Sequence, residues 1–587
     1  MTWKAGYKRA DRGTRECKAS PTHPVASPRS ARARFLEREM NAESLKPERV
    51  AEHDRQKGLA DRIMCCSVAG CLSAGAGAVR AAIEREVDAQ GKSAAIEVCG
   101  TGCMGLCSRG PLVRSAAADL VYTDVKPEDA GAIVGHDRSK FENRLLDSDH
   151  PFYAGQRCII LANSGRTDPE RIADYICQGG YQALLRAVTE LTPETILSEV
   201  KKSGLRGRGG AGYPTGLKWE LVGRNSSPVK YVVCNADEGD PGAFMNRSVL
   251  EGDPHRVLEG MAIAGCAVGA QQGYIYARGE SPLAIARIKT AIEQARREGL
   301  IGGRIFDSSF QFQIDLRIGA GAYVCGEETA LIASIEGKRG QPVPRPPYPP
   351  EAGLWGRPTL INNVETFANI PTIIEMGGEL FSAIGAPASP GTKVFALAGR
   401  VERTGLVEVP IGTSLRTILF DIGGGVPAGH EFKAAQTGGP AGGCIPAQYL
   451  DLPMDYDSLS RIGTMMGSGG LIVMDSSSCM VDLARFFMEF CMDESCGKCI
   501  PCRAGTVQLH EILRRMTRGE GRESDFGLLE DLSGLLKETS LCGLGLAAPN
   551  PILSTLRHFR NEYDAHVRER RCPAGHCQIP AAQEHAA

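Results

Sequence analysis

Apolar and polar positions change their period several times along the chain, and each change marks a unit. Residues 78–90 carry apolar side chains at helical spacing and are followed by a strand-like run over 94–98. Thr192 is a good N-cap, Pro193 suits the first helical position, and Ile196, Leu197 and Val200 share one face, so a helix is predicted to run into residue 203. Strand-like 231–234 and 273–277 alternate with helical 181–189 and 282–298, which indicates α/β layering. From residue 394 the runs become short: 394–399 and 405–410 read as strands, with a crossing helix from Ser414. Residues 480–492 are apolar on most sides and open a helical region.

The 587 residues suggest about four domains at roughly 150 residues each. A formal charge of −2 gives no global field for nucleic acid or membrane. No apolar run approaches the roughly 18 residues of a membrane span, and no signal-peptide core opens the chain. A cytoplasmic protein is expected. Residues 1–60 differ, with 14 Lys and Arg against 8 Asp and Glu and little apolar period, and read as a mobile basic tail with order beginning at Ile63. Asp11 and Glu16 weaken the alternative of a targeting peptide.

Between Ser203 and Gly216 lie six glycines in fourteen residues, a composition that loses too much entropy and buries too little to form a helix or strand. Gly207, Gly209 and Gly212 spell G-x-G-x-x-G, and backbone without Cβ atoms can press its N–H groups against a phosphate. A helix precedes this loop where a dinucleotide-binding Rossmann unit has a strand, so that reading loses ground. Two more polar runs follow: Asn235-Ala236-Asp237-Glu238-Gly239-Asp240, and Gly319 to Thr329, closed by Glu327 and Glu328.

The 21 cysteines sit in a long chain without a secretory signal, where clustering points to metal. Cys66 and Cys71 (C-x4-C) with Cys103 and Cys107 (C-x3-C) can close around a two-iron cluster, each iron taking two sulfurs. Zinc is the runner-up, Cys65 can replace Cys66 in this assignment, and Cys99 is a spare. Cys496, Cys499 and Cys502 (C-x2-C-x2-C) with distant Cys542 fit a four-iron cubane far better than zinc. Cys158, Cys177, Cys234, Cys266, Cys325 and Cys444 stand singly and are read as buried small hydrophobes.

These motifs, with Ile361-Asn362-Asn363-Val364-Glu365-Thr366, resemble the flavin subunit of respiratory complex I, and equally the diaphorase subunits of NAD-linked hydrogenases and formate dehydrogenases, over about 152–577. The resemblance implies a multidomain α/β protein. Its expected units are a thioredoxin-like two-iron ferredoxin domain (63–135), a Rossmann-like FMN- and NADH-binding domain (136–390), a β-grasp, ubiquitin-like domain (391–475) and a helical four-iron domain (476–570). The tail 1–62 and residues 571–587 flank them. It implies that Gly207, Arg208, Gly209, Gly210, Gly212, Lys218, Asn235, Asp237, Glu238, Gly326, Glu327, Asn362 and Asn363 line FMN. NADH would use Tyr213 and Tyr348 against adenine, Glu328 near nicotinamide and Asp240 near the adenosine ribose, with Tyr323 and Arg345 in the same pocket. A carboxylate at the ribose favours NAD over NADP. Glu327 and Glu328 are expected to tune the hydride step. Two positions depart from the family pattern: Arg345 stands for a usual Lys, and Asn246 for a usual Asp.

The implied function is a diaphorase: a hydride from NADH reaches the flavin, which releases its two electrons singly to the clusters and a partner redox enzyme. A separate small subunit with a further two-iron cluster, a terminal enzyme such as a hydrogenase or formate dehydrogenase, and ferredoxin are the expected partners. The alternatives are a bifurcating subunit coupling NAD to ferredoxin, and a non-catalytic iron–sulfur relay. At the end of the recognisable sequence, His566, Cys572 and Cys577 with Cys479 form a candidate Cys3His zinc staple; unused linker thiols are the competing reading.

Overall fold

The computed structural model describes residues 45–580, so the expectation for the first 44 residues and the last seven lies outside it. The tail expected to reach residue 62 is corrected over its last part. Leu45–Lys57 is a helix, and Asp61–Cys66 is already a strand. Only Leu45 and Glu52 of that helix are buried, which is why no apolar period announces it. Ion pairs hold it instead: Arg55 and Arg171 both reach Glu52 and Glu97.

The strand Asp61–Cys66 pairs in parallel with Ile96–Thr101 and antiparallel with Val113–Ser115 in a five-stranded sheet, completed by Leu120–Tyr122 and Leu145–Leu146. Helix Ala76–Ala89 buries Val79, Ile83 and Val87 against it. Next comes a four-stranded parallel sheet in the order Gln313–Gly319, Gln272–Arg278, Tyr231–Ala236, Thr359–Asn363. Three of its strands have apolar centres, as a sheet covered by helices requires, while the edge strand Gln313–Gly319 alternates apolar and charged residues; helix Pro254–Val268 packs on helix Val364–Met376 and on Gln182–Thr189.

A second five-stranded sheet, of mixed direction, runs Gly405–Pro410, Thr392–Gly399, Gly470–Asp475, Phe432–Thr437, Cys444–Pro446. It is tied to the preceding parts of the chain by buried charge. Glu365 accepts from the Val394 N–H at 3.0 Å and from the Lys393 ammonium, all three residues being buried. Glu408, also fully buried, accepts from the N–H groups of Ile159, Ile160 and Leu161 at 2.8–3.0 Å. A carboxylate so deep is tolerated because its lone pairs are satisfied. Helices Met480–Asp493, Ile500–Thr517 and Ser524–Thr539 form the last unit with their own core. No helix among the described residues is long and apolar enough to cross a membrane.

Candidate flavin, nucleotide and cluster sites

Helix Pro193–Lys202, N-capped by Thr192, delivers the chain into the glycine loop as expected. Three of the loop's glycines have no room, or no backbone conformation, for a side chain. A Cβ on Gly212 would stand 2.6 Å from the Tyr456 ring, one on Gly209 3.2 Å from Asn363 Cβ, and Gly210 and Gly212 have φ of +122° and +62°. Tyr456, which nothing in the sequence singled out, donates from its hydroxyl to the Gly207 carbonyl at 2.9 Å. Arg208 is expected among the residues that line FMN, and its side chain turns away from the cleft. Its guanidinium is fully buried and donates to the carbonyls of Arg206, Pro390 and Thr392, while its N–H donates to Thr366. It holds the loop to the second sheet from behind.

The other predicted residues gather at the C-terminal ends of the parallel strands, where ligands of such sheets bind. Asn235 donates to the Gly326 carbonyl at 2.8 Å, and Asn362 accepts from the indole of Trp219 at 2.8 Å. Asn363 caps the helix Val364–Met376 and Glu327 caps the helix Glu328–Ile335. Glu238 accepts from the N–H groups of Asn246 and Arg247 and from the Asn246 amide. An Asp at 246 would turn a second carboxylate toward Glu238, so Asn is the residue that suits this pair. Burial raises the carboxyl pKa of Glu238 and of Asp240.

One feature of this cleft fits a flavin nucleotide. The Asp237 carboxyl, pushed up to about 7 mainly by burial, keeps one oxygen buried without a partner while the other meets Arg278 at 3.3 Å.

Glu328 is held between Lys218 at 3.2 Å and Arg345 at 2.8 Å. Tyr213 and Tyr348 remain 44% and 50% exposed, and the Arg345 guanidinium lies over the Tyr348 ring, 5.7 Å from its centroid. Asp240 is committed elsewhere: Tyr323 donates to one oxygen at 2.7 Å and Ser468 to the other at 3.3 Å.

Cys496, Cys499, Cys502 and Cys542 line one small cavity, together with Ser495, Lys498, Leu541 and Leu544. Val324 and Pro342 complete its wall, so the cavity borders the nucleotide segment directly. Tyr323 N–H donates to Glu494 at 3.0 Å, Gln341 to the Cys496 carbonyl at 3.2 Å, and Lys498 to the Pro342 carbonyl at 2.5 Å.

Cys66, Cys71 and Cys103 are buried in one core beside the partly exposed Cys107, whose sulfur is 3.9 Å from that of Cys103. Strand alternation turns Cys65 to the opposite face, into the core of Val79 and Ile83, so it does not exchange with Cys66. Cys99 lies apart from the set, its sulfur 3.1 Å from that of Met64. A close approach of Gly102 to Gly252 seats this unit on the end of helix Met245–Gly252, whose first turn binds Glu238. Of the single cysteines, Cys177, Cys234, Cys325 and Cys444 are buried as expected. Cys158 is exposed and Cys266 half-buried, which corrects the reading of both.

The four donors of Cys479, His566, Cys572 and Cys577 all lie within 4.8 Å of one another. The Cys479 sulfur is 3.5 Å from His566 Nε2 and 3.6 Å from the Cys577 sulfur. His566 Nδ1 is 2.7 Å from the Glu562 carbonyl, a contact that places its proton there and leaves Nε2 as a lone-pair donor.

The Nuo51 FMN-binding domain model matches residues 200–372, and the iron–sulfur binding region of NADH-ubiquinone oxidoreductase-F matches 482–566. The NADP-reducing hydrogenase subunit HndC of Solidesulfovibrio fructosivorans is 57% identical over 419 residues, 71% of this chain and 85% of that one. The F 2 subunit of the NADH-quinone oxidoreductase of Rhizobium meliloti is 46% identical over 415 residues, 71% of this chain and 99% of the relative. A chain of a crystal structure of an NAD+-reducing [NiFe]-hydrogenase in the H2-reduced state aligns with TM-score 0.63 at 27% identity, covering 92% of this chain and 91% of that one. The chain therefore belongs to the family of flavin- and iron–sulfur-binding subunits that includes the F subunits of NADH-quinone oxidoreductases.

Proposed function

We propose that the chain exchanges electrons between NAD(H) and a partner redox enzyme, using FMN, a four-iron cluster on Cys496, Cys499, Cys502 and Cys542, and a two-iron cluster on Cys66, Cys71, Cys103 and Cys107. The observation that carries this is the shared wall: Val324 and Pro342 border both the nucleotide segment and the four-cysteine cavity. FMN, when bound, supplies the conversion of a two-electron hydride into single electrons. Residues of the chain do the rest. The glycine loop cradles the phosphate, Lys218 and Arg345 steer Glu328, and Tyr213 and Tyr348 clamp the adenine. Tyr323 and Val324 bring the pocket against the cluster.

We assign a thioredoxin-like fold to the unit expected at 63–135, whose sheet extends from Asp61 to Leu146, and a β-grasp fold to 391–475, with the flavin and four-iron domains expected at 136–390 and 476–570. The partners are a terminal redox enzyme and a small subunit with a further two-iron cluster, working in the cytoplasm. His566, Cys479, Cys572 and Cys577 hold zinc. Sulfurs around a tetrahedral zinc are about 3.8 Å apart at a Zn–S length near 2.3 Å, close to the 3.6 Å between Cys479 and Cys577.

Adding NADH to the purified protein should bleach bound flavin and raise the signals of both clusters. Flavin that NADH leaves oxidised overturns the proposal. A second reading, NADP in place of NAD, is favoured by the commitment of both Asp240 oxygens to Tyr323 and Ser468. Catalytic efficiencies with NADH and NADPH, in the native protein and in Asp240→Ala, separate the two. A preference for NADH that narrows in the variant supports NAD.

A further inference from the structure

Two serine hydroxyls flank the four-iron site, and no ligand count includes them. Ser495 Oγ lies 3.4 Å from the Cys502 sulfur. The Gly497 N–H donates to that same oxygen at 3.4 Å, so the serine proton is free to point elsewhere. Once Cys502 binds iron it is a thiolate with no proton to give. The direction of the contact is then fixed: the hydroxyl donates and the sulfur accepts.

Ser540 supplies an independent sign. Its Oγ is buried and has no hydrogen-bond partner. A buried hydroxyl left unpaired costs about 1–3 kcal/mol, so a missing acceptor is the natural explanation. Its position names that acceptor. The point where a Cβ on Gly545 would lie is 2.5 Å from Ser540 Oγ and 2.9 Å from Cys502 Cβ, which puts the hydroxyl beside a ligand of the cluster. Only glycine at 545 leaves that space open.

We infer that Ser495 and Ser540 are positioning residues that donate O–H···S hydrogen bonds to the four-iron centre and raise its reduction potential. Ser495 donates to the Cys502 sulfur, and Ser540 to a sulfur at the Cys502 corner. Reduction adds negative charge to the cluster, and donors aimed at its sulfurs stabilise the reduced form more than the oxidised one. The pair thereby favours electron acceptance from the flavin. The inference rests on the four-iron assignment.

Potentiometric titration of the four-iron signal in the complete, cofactor-loaded protein tests it. Ser495→Ala and Ser540→Ala should each make reduction about tenfold less favourable, a fall of about 59 mV for a one-electron couple. Ser495→Thr, which keeps a hydroxyl, should restore the native midpoint. In the native protein, reduced-cluster couplings to exchangeable protons should exceed those in either alanine variant. An unchanged midpoint in an alanine variant that retains full iron overturns the assignment of that serine. So does a Ser495→Thr midpoint as low as that of Ser495→Ala. If Ser495→Ala assembles no cluster, Ser495→Cys, a weaker donor of similar size, should still lower the midpoint, and no change there overturns the claim. Native protein without a four-iron signal would instead defeat the parent reading, a distinct result.

Discussion

Two quartets of candidate metal ligands lie near the two ends of helix Met480–Asp493, yet their surroundings differ in kind. Fourteen residues, or about 21 Å at 1.5 Å per residue, separate them. Beyond the C-terminal end, Cys496 and its partners face residues of the nucleotide segment, with hydroxyls and peptide N–H groups near the sulfurs. At the N-terminal end, Cys479 and His566 meet Cys572 and Cys577 of the closing segment, the Asp482 N–H donates to the Cys479 sulfur, and a carbonyl fixes the imidazole proton. Ligand type alone does not separate an electron site from a staple. What lies in the second layer does.

The sharpest way to break this contrast is Cys499→Ala. It should remove the four-iron signal and abolish steady transfer to a partner, while NADH still bleaches the flavin in a single turnover measured by stopped flow. Loss of flavin bleaching with FMN retained would reverse the assigned order of transfer. Cys572→Ser should act oppositely: zinc is lost by elemental analysis, stability falls by on the order of 4 kcal/mol, and flavin reduction persists. Lost bleaching there would make the staple part of the electron path.

A smaller effect concerns Asp237. Its carboxyl is held up to about 7, so between about pH 4 and 7 the folded protein keeps a proton that the unfolded chain has lost. Stability contributed by this group therefore falls as pH rises through that window, by at most about 1.4 kcal/mol per unit. Asp237→Asn should flatten the fall in Tm between pH 4.5 and 7, and an identical slope would refute it. The smallest effect is expected from Glu494→Gln, which weakens the 3.0 Å bond from Tyr323 N–H by about 1 kcal/mol. It also removes one of the negative charges that help raise Asp237, so the flavin pocket should titrate slightly lower. A stability loss above about 3 kcal/mol in denaturant titration would mean that Glu494 carries more than this one bond.

Much of this is legible in the sequence, for a physical reason. Glycines crowded between Ser203 and Gly216, and cysteines at C-x2-C-x2-C, leave few structures in which their cost is recovered. The final zinc-like quartet is also legible, since Cys479 has no other employment. What escapes are residues whose role depends on distant neighbours. The helix Leu45–Lys57 is polar and held by charge, so periodicity is silent about it. Arg208 sits inside the motif but turns away from it, because the carbonyls that receive it come from Pro390 and Thr392. Tyr456, Ser468 and Arg278 carry no local signature at all. Tyr456 and Ser468 matter only where the second sheet meets the first, and Arg278 only where the end of its strand meets Asp237.

That junction bears on where the chain can be cut. The sequence family boundary at residue 372 suggests a portable flavin module. A break near residue 390 would leave the N–H groups of Ile159, Ile160 and Leu161 without the Glu408 carboxylate. It would also strand the buried Arg208 guanidinium and the Glu365 carboxylate, whose partners lie at 390–394. Each is a fully buried polar group, and exposing or orphaning several at once exceeds the few kcal/mol by which domains are stable. The piece that inheritance treats as a cassette is thus not a piece that chemistry can excise; transplanting the flavin pocket into another scaffold requires carrying its neighbouring sheet along.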